Sequence, residues 1–266
     1  MPYRRELGAL AAFVSLGWQR AATERAGLIG RALLYVVVLA IFSQLWRATP
    51  LDELVAPAPT AAGLLWYLAV TEWIVFAVGM PYREVEADIG SGQIVTAMLR
   101  PLPYGLAMLA QWSGAVLYRL GALAIVGLVA ALGLSGTLAL APVMVPGLLL
   151  AGALAAILIL LCQLQLGLAT LWLGSAAPLF WIWQKLAFVL GGLIIPLTLY
   201  PAPWRALAER TPFASMLFAP GSLALDAAPD RLATIILWQI LWLAFLGAAT
   251  ILVARAATSR ITERGL

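Results

Sequence analysis

Two ionisable residues interrupt long apolar stretches of the 266-residue sequence, and each could take part in chemistry inside a lipid bilayer. Glu72 lies at the centre of the apolar run 63–81. A charge at that depth is costly, so we expect this carboxyl to be protonated, paired, or in contact with an aqueous path. It then serves either as a structural partner between helices or as part of a translocation path. Arg119 lies nearer the end of its run, where its long side chain can reach the membrane surface.

The residue types that most enzymes use are missing from this sequence. The chain has no histidine and one cysteine, Cys162, which excludes His-dependent nucleophilic sites, His-metal sites and multi-thiolate sites. The stretch 90–95, GSGQIV, is too short for a phosphate-binding loop and lacks its lysine. The single lysine, Lys185, has no evident serine partner. We therefore expect no catalysis, no metal site and no cofactor bound directly by this chain.

The composition predicts that lipid is the solvent of this protein. Apolar residues make up 64% of the chain and charged residues 11%, with a mean hydropathy of +0.98, whereas soluble domains are about half apolar and about a quarter charged. A spanning helix needs about 20 mostly apolar residues. Six stretches meet this requirement: 28–46, 63–81, 112–134, a span within 142–172, 179–199 and 232–254. The predicted fold is an all-α integral membrane protein with six transmembrane helices in a single domain, 1–266.

The basic residues predict the orientation of these spans. They are scattered between the apolar runs rather than gathered on one face, which argues against a nucleic-acid partner. Six spans place both termini on the same side. That side carries eleven basic residues, Arg4, Arg5, Arg20, Arg25, Arg31, Arg83, Arg100, Lys185, Arg255, Arg260 and Arg264, and the other side carries four, Arg47, Arg205, Arg210 and Arg231. Basic residues accumulate in cytoplasmic loops, so we expect both termini in the cytoplasm.

Three segments outside the spans add to the predicted architecture. Residues 1–27 repeat apolar side chains at helical spacing, which indicates an interfacial helix along the inner leaflet, acting as an anchor or as a docking element. Residues 82–103 form a charged cytoplasmic loop in which Gly90 and Gly92 could end a short helix. Residues 200–230 are rich in proline and form either a short re-entrant hairpin on the outer side or a plain surface loop.

Glycines inside the spans indicate close packing between helices, because lipid provides no hydrophobic force that would drive helices together. Gly167 in the fourth span and Gly191 with Gly192 in the fifth are interpreted in this way. The contacts could lie within the chain or at a subunit interface. Pro196 is expected to close the fifth span.

The loop 82–103, YREVEADIGSGQIVTAMLRPLP, has the most distinctive pattern in the chain. Acidic residues precede Asp88 and Ile89, a glycine follows at 90 or 92, and an aliphatic run leads to LRPL at 99–102. This pattern resembles the loop between the second and third spans of ABC-2-type permeases, the membrane subunits of ABC exporters. The order of an interfacial helix, six spans and a broken outer segment before the last span is similar to the same family, in its bacterial branch with a separate ATPase chain.

The resemblance implies a permease subunit of an exporter in the bacterial inner membrane. Two permeases, identical or related, would form the pathway at their interface among membrane lipids, and two copies of an ABC ATPase would bind below and supply ATP and Mg²⁺. In that family the loop after the second span holds a coupling helix that binds the ATPase. Carried onto this sequence, the contact falls on Arg83, Glu84, Glu86, Asp88, Ile89 and Arg100. An ordinary solvated loop is the alternative interpretation.

Two other functions compete with this expectation. A proton-coupled secondary carrier could use Glu72 as its proton site with Arg119 as the partner of that carboxyl. A non-transporting membrane scaffold would form stable complexes without moving any cargo. Transport in vesicles that lack an ATPase would favour the carrier over the other two.

Overall fold

The protein is a bundle of long apolar helices joined by short ones. The computed structural model describes residues 2–50, 59–98, 102–138, 140–225 and 229–263. Within these ranges all regular secondary structure is helical, and five helices are long and apolar enough to cross a membrane. The described part of the chain is therefore all-helical, as predicted, and its five long apolar helices are compatible with a multi-pass membrane protein.

Twelve α-helices follow one another in the described ranges. They are α1 Pro2–Thr23, α2 Arg25–Ala48, α3 Ala61–Val78, α4 Tyr82–Gly90, α5 Gln93–Met98, α6 Tyr104–Ser135, α7 Val145–Leu173, α8 Ala177–Leu190, α9 Ala202–Glu209, α10 Pro212–Met216, α11 Phe218–Leu225 and α12 Pro229–Glu263. The five long helices α2, α3, α6, α7 and α12 coincide with five of the six predicted spans. The main difference is α6, which begins at Tyr104 rather than near Trp112.

Helices α3 and α7 form the centre of the bundle. Within an 18-residue apolar stretch of each helix, 72% of the residues are buried in α3 and 61% in α7. The corresponding share is 17% in both α2 and α12. A helix that is apolar on every side is typical of such a central position. The outer helices expose their apolar side chains, as a helix facing lipid or another membrane subunit would.

The helix that precedes the first span packs along the beginning of α6. Val14 and Gly114 lie at the crossing, where a side chain on the glycine would overlap the Val14 carbonyl group. Next to this crossing, the rings of Trp18 and Tyr118 meet edge to face with centroids 5.3 Å apart. The backbone at Glu24 separates this helix from α2. The predicted helix in residues 1–27 is thus present, and its position relative to the membrane surface stays a prediction.

The fifth predicted span, 179–199, does not form one continuous helix. Helix α8 has 14 residues and ends at Leu190, a length of about 21 Å that is shorter than the roughly 30 Å of hydrocarbon in a bilayer. Gly192 has a φ of +62°, and the Leu193 N–H donates to the Phe188 carbonyl at 3.1 Å. This is a glycine-dependent helix end, so Gly191 and Gly192 do not lie inside a continuous helical span. Gly191 is nevertheless a close-packing position, because a Cβ there would lie 2.9 Å from the Leu217 Cδ1.

Residues 200–225 form three short helices instead of an open loop. Helix α9 is largely exposed, whereas α10 and α11 are buried at Ser215, Met216 and Leu223. Helix α11 packs on the first half of α3, where Gly221 lies against the ring of Tyr67. The segment is therefore folded back onto the centre of the bundle.

Candidate functional site

A cavity of about 860 Å³ lies between the helices at the α4 end of the bundle. Its walls come from α1, α2, α3, α6, α7 and α8, with Met216 and Leu217 from the folded-back segment. Its volume falls in the range of ligand-binding pockets, about 300–1,000 Å³. Seven ionisable side chains line it: Arg20, Glu24, Arg31, Glu72, Arg83, Glu84 and Arg119. It combines a charged end with an apolar interior.

Glu72 is placed in this cavity by the central helix α3. Its side chain is only 7% exposed, yet it lines the cavity. No hydrogen bond or ion pair to its carboxyl occurs among the residues that the structure describes. It lies seven positions before Gly79, the C-cap of α3, which is about 10 Å along the helix axis. The predicted intramembrane carboxyl thus lies in contact with a cavity and has no partner in the described part of the chain.

Arg31 is a functional candidate that the sequence interpretation missed. Its Nη1 donates to the Phe76 carbonyl oxygen at 2.7 Å. This carbonyl belongs to the last turn of α3, where carbonyl groups lack partners within the helix and favour a nearby cation. Arg31 shares the inward stripe of α2 with Tyr35 and Leu39, each four residues further on. In the sequence, the four-residue spacing of Arg31 from Tyr35 and of Tyr35 from Leu39 was the signal that Arg31 faces the other helices.

Arg119 does not pair with Glu72. Its Nη2 lies 3.3 Å from the Glu24 carboxylate, and its side chain is 18% exposed. The pairing of Arg119 with Glu72 that the carrier hypothesis assumed is therefore not formed. A second, looser pair joins Arg20 to the Glu84 carboxylate at 3.8 Å. These two pairs partly neutralise the charged end of the cavity.

Each of the three acidic side chains of α4 is bound within the chain. Glu84 accepts a hydrogen bond from the Trp112 indole at 3.1 Å. Glu86 accepts one from the Ser175 hydroxyl at 2.7 Å, and Asp88 accepts one from the Tyr104 hydroxyl at 2.8 Å. Contact between these carboxylates and an ATPase stays a prediction, but in this structure they hold α4 against α6 and the beginning of α8.

The free face of α4 is formed by different residues. Arg83, Ala87 and Gly90 are exposed at helical spacing, and Ser91 continues this face into the turn before α5. Ile89 is half-buried and packs against the main apolar core. Arg100 lies outside the described residues. Of the described residues predicted to bind an ATPase, Arg83 is the exposed one, and it also lines the cavity.

Apolar contacts fix the buried face of α4. The ring of Tyr82 stacks on Phe180 of α8 with centroids 4.5 Å apart. Val85 lies so close to Gly167 of α7 that a Cβ on the glycine would be 2.6 Å from the Val85 Cβ. The Tyr82 N–H also donates to the Gln163 side-chain oxygen of α7 at 3.4 Å. Helix α4 is thus joined to α7 and α8 as well as to α6.

Side chains of α3 bind the backbone of the broken helix end, and a side chain of α12 binds the backbone of the folded-back segment. The Thr71 hydroxyl donates to the Leu193 carbonyl at 2.8 Å, and the Tyr67 hydroxyl donates to the Gly192 carbonyl. Gln239 of α12 is fully buried, and its amide donates to the Ser215 carbonyl at 3.0 Å. Irregular backbone inside a membrane is stable only when such partners are available or water reaches it.

The site offers no metal-binding arrangement within the described ranges, because no group of three or more acidic or cysteine side chains lies close enough together to hold an ion. The sequence matches no protein-family model, and no curated protein is significantly similar to it.

Proposed function

We propose that the chain is the membrane-spanning permease subunit of an ATP-driven transporter of the ABC-2 type, acting as an exporter in the bacterial inner membrane. A separate ABC ATPase, in two copies, binds ATP and Mg²⁺ and drives the cycle. Two permeases, identical or related, form the pathway at their interface. Both termini lie in the cytoplasm, on the side that carries most of the basic residues.

A sixth crossing near α8 is consistent with the lengths available. Helix α8 covers about 21 Å, and the chain from Gly191 to Leu199 is long enough to cover the remaining 9 Å or so. The hydroxyl groups of Tyr67 and Thr71 bind the carbonyl groups of this stretch, which supports its position at membrane depth. The folded-back segment that follows would then lie in the outer half of the membrane.

The observation that carries the proposal is the attachment of α4. This short helix is bound to four other helices: through Glu84 to α1 and α6, through Asp88 to α6, through Val85 to α7, and through Tyr82 and Glu86 to α8 and the residues before it. It still exposes one face to solvent. A helix that couples a soluble motor to a membrane pathway needs both properties.

In the proposed mechanism, the attachment of α4 transmits motion to the wall of the cavity. Glu84 and Arg83 of α4 line it, and so do Phe180, Ala187 and Phe188 of α8. If ATP binding draws two ATPase subunits together, the force on α4 reaches the cavity wall through α8. The wall would then alternate between exposing the cavity to one side of the membrane and closing it.

The outer helices supply the surface for a second permease. The most exposed apolar side chains of α2 and α12 include Leu33, Ile41, Phe245 and Leu252, each at least 60% exposed. In a single chain these faces contact lipid. In the proposed dimer one of them is covered by the other permease, because two bundles must meet to enclose a pathway.

Co-purification with an ATPase tests the proposal. We expect the tagged chain to bring an ATPase out of native membranes, and Arg83→Glu or Ala87→Trp on the free face of α4 to abolish this association. Arg210→Glu is the matched charge reversal, because Arg210 is exposed in the segment between α9 and α10. An ATPase that stays bound at the wild-type level to both α4 variants would contradict the assignment.

A proton-coupled carrier remains the second candidate, because Glu72 is buried, lines a cavity and has no partner among the described residues. This function predicts gradient-driven transport in liposomes that contain the purified chain and no ATPase. The proposed permease predicts none under those conditions.

A further inference from the structure

The cavity is lined by the buried acidic residue Glu72 and by many apolar side chains. We infer that the cavity binds an organic cation, with the charged group of the ligand next to Glu72 and its apolar part against α8 and the Met216–Leu217 turn. This inference deepens the proposed function, since the cation would be the cargo, but the binding itself requires no ATPase.

The charge at Glu72 is the first argument. A carboxylate that is 7% exposed and has no partner among the described residues is costly to keep in an apolar environment. A cation in the cavity would lower that cost by direct pairing. The basic residues do not fill this role, because Arg119 is paired with Glu24 and Arg31 donates to the Phe76 carbonyl.

The walls of the cavity argue for an organic ligand rather than a metal ion. Metal ions such as Ca²⁺ and Mg²⁺ require six or more oxygen ligands, whereas the cavity that Glu72 lines is also lined by apolar residues such as Val75, Ile159 and Leu217. The volume of about 860 Å³ is also far larger than a metal ion needs. A large apolar cation fits both the space and the lining.

Aromatic side chains strengthen the preference for positive charge. Phe76 and Trp183 line the same cavity as Glu72, and the Phe188 ring there already has the Lys185 ammonium 5.7 Å from its centroid. The faces of such rings attract organic cations. An anion would instead bind near the arginines at the α4 end, where Arg20 and Arg119 already engage carboxylates.

Two probes of the same shape and opposite charge test the inference. Tetraphenylphosphonium is the cation and tetraphenylborate the anion, and their binding to the purified chain is measured by equilibrium dialysis in non-ionic detergent, after subtraction of detergent alone. We expect the wild-type chain to bind the cation at least about tenfold more tightly than the anion. Tighter binding of the anion would overturn the inference and assign the cavity to the arginines.

The variant Glu72→Gln supplies the second comparison, because it removes the charge and keeps the size of the side chain. We expect it to weaken binding of the cation by about tenfold or more and to leave binding of the anion unchanged or stronger. Glu209→Gln on α9, outside the cavity, is the control and should bind both probes as the wild type does. Unchanged cation binding in Glu72→Gln would overturn the inference.

The two proposals fail separately. Loss of the cation preference would leave the association with an ATPase untouched, and absence of an ATPase would leave cation binding intact. The comparison of the two probes on the wild-type chain needs no variant, so it decides the matter even if Glu72→Gln folds poorly.

Discussion

The Glu86 carboxylate of α4 accepts a hydrogen bond from the Ser175 hydroxyl at 2.7 Å and another from the Ala176 backbone N–H at 3.1 Å. These groups lie directly before α8, so a residue of the loop helix holds the beginning of the half-length helix. At its other end, α8 lines the cavity through Ala187 and Phe188. One rigid helix thus connects the loop helix to the cavity wall.

The first prediction concerns this connection. We expect Glu86→Ala to lower the free energy of unfolding in detergent by about 1–3 kcal/mol, because two hydrogen bonds to a charged acceptor are lost. We also expect it to keep its ATPase bound while reducing transport per ATP hydrolysed. Glu209→Ala, which removes a carboxylate in an exposed pair with Arg205, should change neither quantity. Full coupling in Glu86→Ala would show that this carboxylate does not transmit the motion of α4 to α8.

The second prediction tests the close contact between α4 and α7. A Cβ at Gly167 would lie 2.6 Å from the Val85 Cβ, so Gly167→Ala must push the helices apart, at a cost of about 1–3 kcal/mol. Gly121 of α6 has no atom within 4 Å of its Cβ position. Gly121→Ala should therefore be neutral or stabilising, since alanine favours the helix by up to about 1 kcal/mol. Thermal unfolding that shifts equally in both variants would contradict the packing.

The third prediction concerns the broken end of α8. We expect Tyr67→Phe and Thr71→Val each to lower the free energy of unfolding by about 0.6 kcal/mol, because each variant loses one hydrogen bond to the backbone of this end. The largest effect expected is about 1.7 kcal/mol, the upper value for hydrogen bonds between membrane helices. Both variants should speed amide hydrogen exchange at residues 191–199. Thr258→Val, which removes a hydroxyl bonded within its own helix α12, is the control and should exchange like the wild type in this stretch.

The fourth prediction tests Arg31 as the cation at the end of α3. We expect Arg31→Met to lower the free energy of unfolding by about 1 kcal/mol, because the Phe76 carbonyl loses its donor and the helix end loses a favourable charge. Arg25→Met at the exposed start of the same helix should have a much smaller effect. Equal effects of the two substitutions, measured by chemical denaturation, would show that the charge of α2 matters and the contact does not.

The positions of the long helices could be predicted because a span is a local property of the sequence. Twenty apolar residues in a row need no knowledge of their neighbours. Glu72 stood out for the same reason, as a charged residue inside such a run. Arg31 was missed although its spacing from Tyr35 and Leu39 was visible, because it was counted only as a charge that sets orientation.

The contacts of α4 could not be predicted, because their partners are far apart in the chain. Glu86 and Ser175 are 89 residues apart, and nothing in either local sequence indicates the other. The loop carboxylates were therefore assigned to an external partner. The end of α8 was misplaced because Gly191 and Gly192 were assigned to helix packing alone, and only the path of the chain shows that Gly192 ends the helix.

Photo-crosslinking at Ala87 tests the central claim most directly. A photoreactive residue at this exposed position of α4, introduced into the full-length chain in native membranes, should form an adduct with an ATPase that contains a phosphate-binding loop. The same residue in place of Arg210 should form none. If the folded protein gives no ATPase adduct from Ala87, the chain is not driven through α4 and the account is contradicted.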